Sequence, residues 1–151
     1  AWPRRVSRRS LGAIHEGVFN GGNQMLTKIA AYSFSGITLL AVAFHCALAL
    51  GMPWAELSWG GKYSGRLPAP MRVASVASAV VLVVLALVVL IRAGLLLPRW
   101  HSLSQKAIWV VVAYCGVAVL AHIFTPSKWE RIVWLPMVVI LFITGLLVAR
   151  R

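Results

Sequence analysis

Acidic residues are nearly missing from this sequence. Three of its 151 residues are Asp or Glu, against 15 Lys or Arg, and charged residues make up only 12%. A soluble domain usually carries about 25%, so the shortage argues for lipid rather than water as the solvent. Cysteine is scarce too. Cys46 and Cys115 both lie inside apolar runs, and no CxxC pair exists. They read as small buried hydrophobes, bridged only if they face each other at like depth. Period-2 alternation is absent, which removes a β-barrel from contention. No HExxH, Gly-rich phosphate cradle or clustered acid pair occurs, so the sequence carries no strong catalytic motif.

What is present is apolar and comes in four runs. The chain is 60% hydrophobic, and about 20 residues cross a hydrocarbon core. The runs predict spans at about 29–52, 71–97, 106–124 and 132–149, with Pro53, Pro98 and Pro126 as terminators. Helices satisfy their own backbone groups in lipid. The expected fold is therefore all-α, an integral membrane bundle of four transmembrane helices running up-down-up-down over residues 29–151. Residues 54–70 read as turns, 98–105 as a short polar turn, and "SKWER" as a connector. Residues 1–28 form a basic N-terminal arm. "SRRSL" (Ser7 to Leu11) has a twin-arginine look, but no apolar run or cleavage site follows at the right place. Met25 opens "MLTKIAAYSF" as a natural start, which makes 1–24 an extension.

Basic residues set the orientation. With the N-terminus in the cytoplasm, Arg4, Arg5, Arg8, Arg9, Lys28, Arg92, Arg99, Lys106, Arg150 and Arg151 lie inside. Lys62, Arg66, Arg72, Lys128 and Arg131 lie outside. Both termini are then cytoplasmic, although from Met25 onward the margin is only six to five. Trp54, Trp59, Trp129 and Trp134 fall at one interface, Trp100 and Trp109 at the other. Arg92 is placed to snorkel to headgroups. The expected partners are the bilayer, with anionic headgroups at the cytoplasmic face, and further copies of the chain or a larger membrane complex. The net charge of +12 is absorbed by these span ends, and no basic helix or aromatic platform points to nucleic acid.

His45 and His122 are polar residues at membrane depth, a functional signal by default. Their expected depths differ by roughly 6 Å, both in the outer half. Glu56 and Glu130 lie on the same side, with Lys128 and Arg131 flanking Glu130 as ion-pair partners. His45, Trp54, Glu56, Trp59, His122, Glu130 and Arg131 thus outline a polar and aromatic pocket under the outer loops. Haem through His45 and His122 needs matched depths, and a metal on His45, Cys46, His122 and Glu130 needs adjacent helix residues to share one ion. The expected cofactor is none, with haem through His45 and His122 the option left open. The leading expectation is a structural, accessory or ligand-binding membrane protein without catalysis. A small transport or channel-like homo-oligomer follows it, and then a haem-binding or other membrane enzyme subunit.

Two segments echo each other. "HCALALGMPW…KYSGRLPAPMRV" and "HIFTPSKWERIVWLPMVV" each offer a His, a Pro, a Lys with aromatic neighbours, then Leu-Pro and Met. Further residues follow an ordered pattern: His45, Ala49-Leu50-Gly51, Pro53-Trp54, Trp59-Gly60-Gly61, Leu67-Pro68 and Arg72 with Ser75. Thr125, Ser127, Glu130, Arg131, Trp134 and Pro136 continue it. Over about residues 30–149 the chain resembles small bacterial four-helix membrane proteins of no assigned reaction. It is more distantly similar to DUF3995-type four-helix proteins. The resemblance implies a four-helix architecture and a bacterial cytoplasmic (inner) membrane, and no mechanism.

Overall fold

The structure, a computed structural model, describes residues 8–151, with side chains from residue 20 onward. Residues 1–7 of the expected arm, Arg4 and Arg5 included, lie outside the described residues, as do the side chains of Arg8 and Arg9. The order of elements is α1 (Arg8–Leu50), α2 (Ala69–Arg92), α3 (His101–Phe124) and α4 (Lys128–Ala149). Short 3₁₀ turns occupy Ala55–Leu57, Trp59–Gly61 and Pro98–Trp100. Among the described residues there is no strand. Four segments are long and apolar enough to cross a membrane: Asn20–Leu50, Ala69–Arg92, Pro98–Phe124 and Lys128–Ala149.

The helix boundaries differ from the sequence expectation, for local reasons. Helix α1 passes residue 28 without a break. Gly21 and Gly22 each lower helix propensity by about 1 kcal/mol, and no proline interrupts the run. Its end is set by Gly51 rather than Pro53. Gly51 has φ 95°, and the bonds Gly51 N–H to Leu48 O and Met52 N–H to Ala47 O, both 3.0 Å, close a Schellman motif. Arg72 reinforces this end by donating from Nε to Ala49 O at 2.7 Å. The same motif at Gly94 stops α2 at Arg92, short of the expected Leu97. Helix α3 starts at His101 and takes in the polar residues read as a turn. Helix α4 starts at Lys128, because Ser127 caps it: its Oγ accepts from the Glu130 N–H at 3.2 Å.

Helix α1 packs on α2 and α4, and α3 packs on the same two. The main core joins Ala30, Ala31 and Phe34 to Leu85, Val89, Ile108, Val111, Cys115, Leu141 and Val148. Glycine lets aromatic rings in. The Cβ position of Gly145 stands 3.5 Å from the Phe34 ring, and that of Gly116 stands 3.4 Å from the Phe142 ring. The expected small-residue faces are only partly used. Ser75 and Ala79 are buried, whereas Ser33, Gly36 and Ala77 face outward. Cys115 is buried and Cys46 exposed, both free. At one end of the bundle the Arg92 guanidinium donates to the Arg151 carbonyl, a protein partner where snorkelling was expected.

At the other end the 51–68 connection folds over a second cluster, Leu48, Ala55 and Leu67 with Phe44, Tyr63 and Met71. It presses against the 125–127 turn. A Cβ on Gly61 would stand 2.9 Å from Ser127 Cβ, at φ +69°. Gly61→Ala therefore meets both a clash and a disfavoured backbone, and is expected to cost about 1–3 kcal/mol. A lowered thermal unfolding midpoint in detergent checks this. Gly36→Ala, whose Cβ meets nothing within 4 Å, is expected to leave the midpoint unchanged or raise it.

Candidate functional site

Glu130 builds the loop end. It is 9% exposed and sits in the first turn of α4. Its Oε2 accepts from the Gly60 N–H and from the Thr125 hydroxyl, both at 2.8 Å. The expected ion pair with Arg131 is not what forms. Arg131 instead donates to the Thr125 carbonyl at 2.6 Å, and Lys128 is exposed. Trp134, one turn further along α4, donates from Nε1 to Leu57 O at 2.8 Å. Ser127 Oγ donates to Glu56 O at 3.1 Å. Three bonds thus tie the long connection to α4 and the turn before it.

Beneath this layer lies a cavity of about 260 Å³ inside the bundle. On α1 its lining runs from Phe34 to His45, and on α4 from Glu130 to Leu141, each about 16 Å of helix. Helix α2 supplies Ser78, Leu82 and Leu85; α3 supplies Tyr114, Cys115, Ala118 and His122; the connection supplies Leu57, Ser58 and Trp59. The end away from the loops, at Phe34, Leu85 and Leu141, is apolar. The loop end carries His45, His122 and Glu130.

Several lining groups keep unused hydrogen-bonding capacity. His122 Nδ1 lies 2.7 Å from Ala118 O. A carbonyl only accepts, so Nδ1 carries the hydrogen, and in an uncharged imidazole Nε2 is then an acceptor. The Nδ1 of His45 is buried without a partner, and so is the Oγ1 of Thr38, a residue only 1% exposed. The Phe44 ring stands edge-on to His45, with centroids 5.8 Å apart.

Of the expected pocket residues, His45, Trp59, His122 and Glu130 meet around this one cavity. Trp54, Glu56 and Arg131 do not line it. The Trp54 ring stacks on Phe44 at 3° and 6.4 Å. Glu56 is exposed and contributes its carbonyl. Sequence reasoning missed Thr38, Phe44, Tyr114 and Trp134. The signal was helical spacing: Phe34, Thr38, Ala41 and His45 repeat at i, i+4, i+7 and i+11, as do Glu130, Trp134, Met137 and Leu141. Among the described residues no three His, Cys, Asp or Glu side chains gather to hold a metal ion.

Glu130→Ala would leave the Gly60 N–H and the Thr125 hydroxyl without their acceptor. The expected loss is about 1–3 kcal/mol, with faster amide exchange at Gly60 and its neighbours. Glu130→Gln keeps an acceptor oxygen and is expected to lose less. Hydrogen exchange resolved by residue, together with thermal unfolding, checks both. No protein-family model, no curated protein and no solved structure matches the chain.

Proposed function

We propose that the chain is a multi-pass protein of a bacterial cytoplasmic membrane that binds a small organic molecule inside its bundle and catalyses nothing itself. On this reading the helices run up-down-up-down with both termini in the cytoplasm, and the loop end faces outward. The pairing of α1 and α3 with α2 and α4 supports it, as do the apolar outer faces. Val73, Val76, Val80, Val84, Val110, Val117 and Leu120 are all more than half exposed, a surface suited to lipid and costly in water.

The cavity carries the functional reading. Empty protein cavities are apolar, and polar ones hold water or a ligand. This one is lined by the polar residues Thr38, His45, His122 and Glu130; among the described residues Thr38 Oγ1 and His45 Nδ1 are buried without a protein partner. Its volume of about 260 Å³ suits a ligand somewhat larger than benzene, which binds in an apolar cavity of about 150 Å³.

Two measurements test this. Filling the cavity by Ala118→Phe is expected to abolish binding of small aromatic probes while leaving the bundle folded. The readout is a saturable rise of the unfolding midpoint, present in the wild type and lost in the variant. No rise with any neutral or charged probe would sink the binding reading. For orientation, a cysteine placed at Ser64, with Cys46 and Cys115 replaced, is expected to react with an impermeant maleimide on intact cells. One placed at Arg151 is expected to react only after permeabilisation. The reverse pattern would overturn the N-in assignment.

A further inference from the structure

We infer that the ligand is an organic cation, a protonated hydrophobic amine, held with its ammonium at the loop end of the cavity and its hydrocarbon toward the bundle centre. This rests on the reading of the cavity as a binding site and adds the chemistry of its occupant.

The loop end offers acceptors. Glu130 lines the cavity, and among the described residues the donors to its carboxylate, the Gly60 N–H and the Thr125 hydroxyl, are both uncharged and both fall on Oε2. The lone pairs of Oε1 remain for a further donor. An uncharged His122 adds Nε2 as a second acceptor, since its Nδ1–H is committed to Ala118 O. The carboxylate meets neutral donors at the N-terminal turn of α4, whose dipole offers only a partial positive charge, and no cationic side chain bonds to it among the described residues. A ligand ammonium supplies a full positive charge and N–H donors for both acceptors. An alcohol would satisfy His122 and leave the charge unmatched. A carboxylate ligand would be repelled.

The walls agree. Phe44, Trp59 and Trp134 line the same cavity as Glu130. The faces of such rings attract cations, most strongly when the site is dry. Deeper in, Phe34, Leu85 and Leu141 give the hydrocarbon an apolar bed. In a chain of net charge +12, the buried charge found at this cavity is negative.

The test uses three probes of one shape on the purified full chain: 2-phenylethylammonium, 2-phenylethanol and 3-phenylpropanoate. Calorimetric titration is expected to rank the ammonium at least about tenfold tighter than the alcohol, with the carboxylate weakest. Glu130→Gln, which keeps an oxygen for Gly60 and Thr125, is expected to weaken the ammonium about tenfold or more and to leave the alcohol within about twofold. Equal affinity for ammonium and alcohol overturns the cation assignment while the cavity reading stands, and so does a Glu130→Gln variant that binds both as the wild type does. Failure of all three probes, in wild type and Ala118→Phe alike, removes the cavity reading as well. Should Glu130→Gln not fold, the ranking of the three probes on the wild type decides alone.

Discussion

The loop end depends on one carboxylate oxygen. Glu130 Oε2 takes a donor from the α1–α2 connection at Gly60 and another from the α3–α4 turn at Thr125, while its own backbone belongs to α4. The adjoining turn and a segment 70 residues away meet on one atom of α4. Each bond to a charged acceptor contributes about 1.5–3 kcal/mol, enough to offset the local strain it imposes. Aiming the Gly60 N–H at the carboxylate takes the chain through Trp59, Gly60 and Gly61 at φ of 54°, 72° and 69°. Two glycines accept this freely, but a tryptophan in that region costs about 1–3 kcal/mol. The strained residue also lines the cavity, so charge, strain and lid coincide at one place.

On the membrane reading proposed above there is little hydrophobic drive between the helices, and close packing with buried polar bonds would hold them together. The bundle shows where that packing succeeds and where it stops. At the level of Gly116 and Gly145 a phenylalanine from another helix fills the space beside each glycine. Nearer the loops the lining residues Ala41, Ser78 and Ala118 are also small, yet the space beside them stays open as the cavity. The cavity thus comes from small residues on three helices that no large side chain answers. Packing alone would favour filling that space.

The sequence made the four helices legible, since long apolar runs and few charges have one economical explanation. It misjudged their ends. Pro53 and Pro98 drew the boundaries toward themselves, whereas Gly51 and Gly94 set the stops through Schellman bonds. Ser127 and Glu130, a Ser-x-x-Glu pair, carried a helix-start signal that was read as a connector. Of the expected pocket, the two histidines, Trp59 and Glu130 converge. Grouping Trp54, Glu56 and Arg131 with them relied on shared depth at the interface. Depth is a single coordinate; which way a side chain faces around the helix is another. The i, i+4, i+7 spacing that links Glu130 to Trp134 and Thr38 to His45 holds that second coordinate.

The internal echo takes a physical meaning here. Both halves of the chain place a His before a Pro and follow it with a Glu, but the connections differ in length. After His122 the chain turns over three residues, Thr125 to Ser127, and re-enters a helix that carries Glu130 back over the same cavity. After His45 it runs through residues 51–68, and Glu56 lands on the exposed outer side of that connection. A carboxylate stays buried where donors await it. Gly60 and Thr125 serve Glu130, and Glu56 contributes only its carbonyl, to Ser127. His45 therefore shares its cavity with Glu130, the acid of the other half. The two like segments contribute unlike parts to a single cavity: one gives an imidazole and a lid, the other an imidazole and the buried carboxylate.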